Sequence, residues 1–282
     1  MKQFFSCHEA TKHAMETERF AISHLLSYEK TMEIHIHSCY EIHYSIAGGK
    51  EFFISNNYYK IEQNNLFFIA PNENHHITKL DKSSHERINI AIHPKFFTHY
   101  STSASPLENC FNNLNNQSNR VIHIDSKNHK RLEFLLQKIY LANGFGSELI
   151  EDHALCEILI MLNNINTNQI KTPEPSITEN ATAKTIIDYI NKNITEEISL
   201  DELADTFFLS KSYICRTFKT FTGTTINKYI SARRISMAKA LIDEGNKPSE
   251  ACAAVGFNSY NNFFKSFVSI VGISPSSYSK YN

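Results

Sequence analysis

Two groups of residues in this chain have the types and spacing to do chemistry. Near the C-terminus, Ser212, Cys215, Arg216 and Lys219 recur at steps of three, one and three, and Tyr260, Asn261, Asn262 and Lys265 form a second polar set. Residues three and four apart share a helix face. Hydroxyl, amide and cationic side chains on such a face match the donors and acceptors of DNA base edges and phosphates. The other group is histidine: all 14 precede residue 154. His75, His76 and His85 have the type for acid–base work near neutrality. No nucleophile signature or glycine-rich phosphate loop accompanies them, so no catalytic residues are expected. Cys215 beside Arg216 has the setting of a redox-sensitive thiol. The plainer reading, a small residue tolerated at a close DNA contact, is preferred.

The elements that must position the first group are written twice in the sequence. At an offset of 49 residues, Ala204 matches Ala253, Phe208 matches Phe257, Ser210 matches Ser259 and Gly223 matches Gly272. Ile214, Arg216, Phe218, Phe221 and Tyr229 likewise match Phe263, Lys265, Phe267, Ile270 and Tyr278. Each copy reads as helix, tight turn, helix. In the first, Leu200, Leu203, Ala204 and Phe207 give one apolar face, and Ser210 is the expected N-cap of the next helix. Ile214, Phe218 and Phe221 form its buried stripe, and Gly223 ends it. In the second, Gly256 makes the turn, Ser259 caps, and Phe263, Phe264 and Phe267 are expected to pack inward. A helix-turn-helix presents its second helix to the major groove. Between the copies, 225–242 reads as one helix of ~18 residues, long enough at roughly 27 Å to set the two recognition helices about one DNA turn apart. The stretch 206–242 holds seven Lys/Arg and no acidic residue, a local partner for phosphates.

Upstream the pattern changes. Residues 41–46, 51–55, 58–61 and 66–70 are short apolar, aromatic and β-branched runs broken by Gly and Asn, the pattern of an antiparallel sandwich or barrel. Phe52, Phe53, Tyr58, Tyr59, Phe67 and Phe68 read as its core. Two helical stretches follow. One carries Leu132, Leu135, Leu136 and Ile139; the other carries Ile150, Leu155, Ile158, Leu159 and Leu162. Residues 166–180 are polar with two prolines and read as an interdomain linker. Charge divides at the same place: 16 Lys/Arg against 20 Asp/Glu in 1–180, and 12 against 9 in 181–282. The six cysteines are scattered without a C-x-x-C pair, and no run approaches the ~20 apolar residues of a membrane span, so a cytoplasmic protein with reduced thiols is expected.

The C-terminal hundred residues resemble the AraC/XylS family of transcription regulators. The resemblance rests on Leu200–Ala204, Ser210–Lys219, Tyr229, Arg233, Arg234, Ala238, Val255–Ser259, Phe263–Phe267 and the closing Gly272-Ile-Ser-Pro-Ser276. It implies base-facing roles for Ser212, Cys215, Arg216, Tyr260, Asn261, Asn262 and Lys265. The N-terminal part resembles the cupin-like sensor domain that many members carry. His35-x-His37-x3-Glu41-x6-Gly48 has the spacing of a first cupin motif, and Asn65 to Pro71 followed by His75-His76 resembles a second, with Glu73 where glycine is usual. In metal cupins such sets bind a divalent ion, here His35, His37, Glu41 and His76; the reading adopted is an effector pocket of His35, His37, Glu41, Tyr44 and His76 with no metal and no cofactor.

The expectation is therefore an α+β multidomain chain. A cupin-like β-barrel with following helices (1–165) would bind an effector and dimerise, 166–180 would link, and an all-α domain of two helix-turn-helix units (181–282) would read DNA. Expected partners are double-stranded operator DNA, a small-molecule effector, a second copy of the chain, and RNA polymerase if the protein activates. The competing reading is a metal-dependent cupin enzyme fused to a DNA-binding module.

Overall fold

The computed structural model describes residues 4–27, 35–49, 51–54, 57–79, 84–111, 120–168 and 181–281. It opens with a helix that no sequence pattern above anticipated, α1 (Cys7–Thr17), capped by the Ser6 hydroxyl accepting from Glu9 N–H. The strands are β1 (Phe20–Ser27), β2 (Tyr40–Ala47), β3 (Glu51–Ile54), β4 (Asn57–Lys60), β5 (Asn65–Ile69), β6 (His75–Lys79), β7 (His85–Ile92) and β8 (Val121–His123). Helix α2 (Pro94–Tyr100) lies between β7 and β8, and α3 (Ser126–Leu141) and α4 (Ser147–Asn168) close the N-terminal half. The C-terminal half is α5 (Ala181–Lys192), α6 (Leu200–Phe207), α7 (Lys211–Thr222), α8 (Ile226–Asp243), α9 (Pro248–Ala254), α10 (Tyr260–Val271) and α11 (Pro275–Tyr281).

The strands form a five-stranded sheet ordered β1-β7-β2-β5-β8 and a three-stranded sheet ordered β4-β3-β6, with antiparallel pairing throughout the described ladders. Alternation along each strand then sorts side chains to opposite faces. On β2, Ile42 and Tyr44 join the core under α3 and α4, with Phe68, Leu132, Leu136, Leu155 and Ile158. Glu41, His43 and Ser45 take the other face, where His43 meets Phe52 of the small sheet at 4.6 Å between rings. Phe52, Tyr59, Phe67, Ile69 and Ile77 pack together between the sheets.

The aromatic residues expected to share one barrel core are thus divided among three. Phe68 faces α3 and α4. Phe53 and Tyr58, cross-strand partners, turn outward and pack with Ile186, Phe218, Phe221 and Tyr229 of the helical half. The Tyr58 hydroxyl donates to the Phe221 carbonyl at 3.0 Å. A second link comes from the segment before β2: Ile36 enters the core of α8–α11, and the Ser38 and Tyr278 hydroxyls lie 3.4 Å apart. Ser236 donates to the Asn72 carbonyl between them. The two halves are therefore docked through a row of aromatic rings and a polar seam.

Other expectations also need correction. Helix α4 continues to Asn168, three residues into the stretch read as linker; the remainder, 169–180, lies outside the described residues. Ile150, assigned to a buried stripe, is exposed, whereas Leu155, Ile158, Leu159 and Leu162 are buried as expected.

Candidate nucleic-acid interface and effector site

Each second helix is held by the features its sequence supplies. Ser210 accepts from Tyr213 N–H to cap α7, and Gly223 ends it at φ 72°. Ile214 and Phe218 are fully buried and Phe221 nearly so. That inward stripe leaves Ser212, Cys215, Arg216 and Lys219 exposed on the opposite face, with the Arg216 guanidinium 5.9 Å from the Tyr213 ring centre. On α10, Phe263 and Phe267 are buried, and Tyr260, Asn261, Asn262 and Lys265 are exposed. All eight expected DNA-facing residues thus lie on the surface, four per helix. Phe264, expected inside, is 40% exposed; it stands one position off the Phe263/Phe267 stripe and turns about 100° away from it. Ser259 occupies the N-cap position of α10 but makes no side-chain capping bond.

The two turns solve the same problem differently. Gly256 has φ 83°, and a Cβ there would lie 2.2 Å from the Thr195 carbonyl oxygen, so only glycine fits. In the first unit the left-handed residue is Phe208, at φ 52° with its ring 95% exposed. The basic stretch is also less available to phosphates than its composition implies. Arg234 donates to the carbonyls of Ile194 and Glu196 at 2.8 and 2.6 Å, and Arg233 to the Asn74 side chain at 3.4 Å. Lys239 is buried over the Tyr278 ring, and burial pushes its pKa down to about 8.

The five residues assigned to an effector pocket do not converge. His35, His37 and Glu41 come together, with His37 Nε2 2.8 Å from Glu41 Oε2. Burial alone would raise the Glu41 pKa, but the His37 hydrogen bond and neighbouring histidines hold it well below the usual carboxylate range. Tyr44 lies on the opposite face of β2, bonded to Asn64 Oδ1 at 3.0 Å and His129 Nδ1 at 2.6 Å. His76 follows His75 on β6 and so points to the other face, beside Phe53 and Gly223 at the junction with the helical half. Burial pushes its pKa down to about 3.

A different polar set occupies the space between the sheets. Ser23, His43, Ser45, Arg87 and Asn89 lie on one face of β1, β7 and β2, connected by the pairings Ser23↔Asn89, His43↔Asn89 and Ser45↔Arg87. All five are buried. Ser23 Oγ, His43 Nε2, Ser45 Oγ and Asn89 Oδ1 make no hydrogen bond to the described residues. Buried polar atoms left this way cost roughly 1–3 kcal/mol each, so four on one face leave an unmet demand for hydrogen-bond partners. Burial, reinforced by the charges of His85 and Arg87, drives the His43 pKa well down. The signal was present as polar residues at every second position, His43 and Ser45 on β2 and Arg87 and Asn89 on β7. It could not be assigned before β7 was paired between β1 and β2.

A duplicated helix-turn-helix domain with exposed polar faces is thus docked on a β-sandwich domain with a polar buried face. Residues 203–281 match the model of a helix-turn-helix domain and residues 27–158 that of the AraC-like ligand-binding domain. The two matches together give the domain arrangement of an AraC-type transcriptional regulator. It is 26% identical over 163 residues to the probable transcriptional regulator LumQ of Photobacterium leiognathi, covering 57% of this chain and 62% of LumQ. It is 34% identical over 95 residues to the transcriptional regulatory protein HptR of Staphylococcus aureus, covering 34% of this chain and 38% of HptR. The chain thus spans less than two thirds of the length of these curated relatives. Among solved structures, ToxT of Vibrio cholerae aligns over 93% of this chain and 98% of its own at 16% identity, with a TM-score of 0.38. Among the described residues no helix is long and apolar enough to cross a membrane.

Proposed function

We propose that this protein is a non-enzymatic, sequence-specific transcription regulator. It binds operator DNA through α7 and α10, and its affinity is set by a small polar molecule held between the sheets. The observation that carries the reading is the outward row on each second helix of a duplicated unit: Ser212, Cys215, Arg216 and Lys219, then Tyr260, Asn261, Asn262 and Lys265. In this reading residues 1–165 sense and 181–282 read DNA, within the cytoplasm. The effector site is the face of Ser23, His43, Ser45, Arg87 and Asn89, a set suited to a ligand with carboxylate or hydroxyl oxygens.

The α3–α4 hairpin supports a homodimer, because Phe134, Leu141, Phe145, Leu149 and Ile160 are all exposed there and a cluster of apolar side chains left in water favours a partner surface. RNA polymerase becomes a further partner if the bound protein activates. The docking of Phe53 and Tyr58 onto α7 and α8 supports a route from sensor to reader, provided the effector binds the docked and undocked arrangements with different affinity.

The test is binding of the full-length chain to DNA fragments from its own chromosomal neighbourhood across a salt series, with and without candidate effectors. One fragment held at salt that releases the others is the expected result, with log affinity falling linearly in log salt. Absence of binding at low salt with every fragment and effector would overturn it.

A further inference from the structure

Five side chains with metal-binding chemistry meet where α1, the segment before β2, β2 itself and β6 converge. Cys7 Sγ lies 3.0 Å from Glu41 Oε2, and His37 Nε2 lies 2.8 Å from the same oxygen. One donor atom from each of Cys7, His35, His37 and Glu41 falls within 4.8 Å of the others. His75 Nε2 faces the carboxylate at 3.8 Å, and its ring is 4.2 Å from that of His35 between centres. Cys7, Glu41 and His75 are buried.

The donors are aimed by groups outside the cluster. His37 Nδ1 is 3.1 Å from the Cys39 carbonyl and His75 Nδ1 is 2.9 Å from the Glu73 carbonyl. Each Nδ1 is therefore engaged outside the cluster and Nε2 is directed inward, the orientation in which a metal-ligating imidazole is held. His35 and His75 are fixed to one another by reciprocal backbone hydrogen bonds at 3.3 and 3.2 Å. Cys7 is carried by a helix whose N-terminus is itself capped.

We infer that Cys7, His35, His37 and Glu41 form a site for a divalent transition ion of the Zn2+ type, with His75 positioning the carboxylate from behind. Thiolate, imidazole and carboxylate together suit Zn2+ and its neighbours, not Mg2+ or Ca2+. At bond lengths of about 2.0–2.3 Å, tetrahedral donors stand roughly 3.3–3.8 Å apart, so small side-chain adjustments close the set around an ion. Binding exchanges the Cys7 thiol proton and the His37 Nε2 proton for the metal, with no change of oxidation state. This set differs from the one the sequence resemblance implied. Cys7, from a helix outside either motif, takes the fourth ligand place that the resemblance gave to His76, which faces the other way.

The site also has a mechanical consequence. Its ligands His35 and His37 alternate with Ile36, which is buried in the core of α8–α11, and Ser38 reaches Tyr278. An ion that clamps His35 and His37 therefore fixes the same short segment that holds the helical half.

The test is titration of the reduced, chelator-treated full-length chain with Co2+ and then Zn2+, followed by absorbance. One equivalent of Co2+ per chain should give visible d–d bands of a tetrahedral site with a near-ultraviolet thiolate charge-transfer band, both erased by one equivalent of Zn2+. Cys7→Ser should lose the charge-transfer band and weaken Co2+ binding at least tenfold. His37→Gln should weaken binding to a similar degree, and Cys215→Ser should leave both signals intact. Zn2+ should also raise the Tm of the wild type more than that of either ligand variant, and circular dichroism confirms that each variant is folded. Absence of equimolar uptake, or uptake unchanged in folded Cys7→Ser and His37→Gln, would overturn the proposal and leave the cluster a hydrogen-bonded knot. These readouts need no DNA, so failure here is distinguishable from failure of the regulator reading.

Discussion

Arg216 and Lys239 show how differently two cations in one basic stretch can be used. Arg216 is exposed on the recognition face, with the Tyr213 ring beside its guanidinium. Arg216→Ala should therefore weaken operator binding by about 1–3 kcal/mol if it pairs with a base, leave Tm unchanged, and flatten the salt dependence by about one phosphate if it grips the backbone instead. Fluorescence anisotropy over a salt series separates the two. Lys239 is buried, and its pKa falls to about 8 because burial disfavours the ammonium, with Asp243 opposing. An unfolded lysine titrates near 10.4, so between pH 8 and 10.4 the unfolded chain holds a proton the folded one has released. Stability from this group accordingly rises with pH across that window, and the cost of burying the charge is fully present below pH 8. The Tm gap between wild type and Lys239→Met should narrow in the wild type's favour from pH 7 to 10. A gap that stays constant would place the amine in water. Both residues were legible as basic, but which one faces DNA depends on what packs over α8.

At the scale of elements, the duplicated unit makes a matched pair of comparisons. Phe263 and Phe267 are fully buried in α10, and Phe264 between them is 40% exposed. Either buried ring replaced by alanine should cost about 3–5 kcal/mol, whereas Phe264→Ser should stay within roughly 1 kcal/mol; urea denaturation reads all three. Ser210 makes its capping bond and Ser259 does not, so Ser210→Ala should cost about 1 kcal/mol and Ser259→Ala a fraction of that. The repeat made both helices and their inward stripes readable, because helical period and cap chemistry are local. The error at Phe264 has the same root. Three aromatic residues in five fit one apolar face loosely, and only the neighbouring helices decide which ring is left outside. The runs marked β2 to β5, but β1, β6, β7, β8 and α1 were missed. Their apolar positions are completed by partners distant in sequence, such as Ile90 and Ile92 opposite Ile22 and Phe20.

For the whole molecule, the docking of the small sheet on α7 and α8 sets a stability difference between the full chain and its parts. Phe53 and Tyr58 cover Phe221 and Tyr229, so a fragment of residues 181–282 should fold and bind DNA but melt at a lower temperature than the same helices in the full chain. A fragment as stable as the full chain would show that the docking contributes nothing. Leu141→Glu should convert the chain to a monomer in analytical ultracentrifugation if the exposed face of α3–α4 is the dimer surface. The sequence by itself determined the two helix-turn-helix units, their eight outward residues, the β character of the first half and the apolar stripes of α3 and α4. Each of these follows from the period of 2 or 3.6 residues and from local capping. Tertiary structure alone decided that His75 and not His76 joins Glu41, that Tyr44 leaves the pocket, that Arg233, Arg234 and Lys239 turn inward, and that Cys7 meets a carboxylate 34 residues away. Those outcomes depend on strand register and on which surfaces dock, and a one-residue step along a strand reverses the face on which a side chain lies.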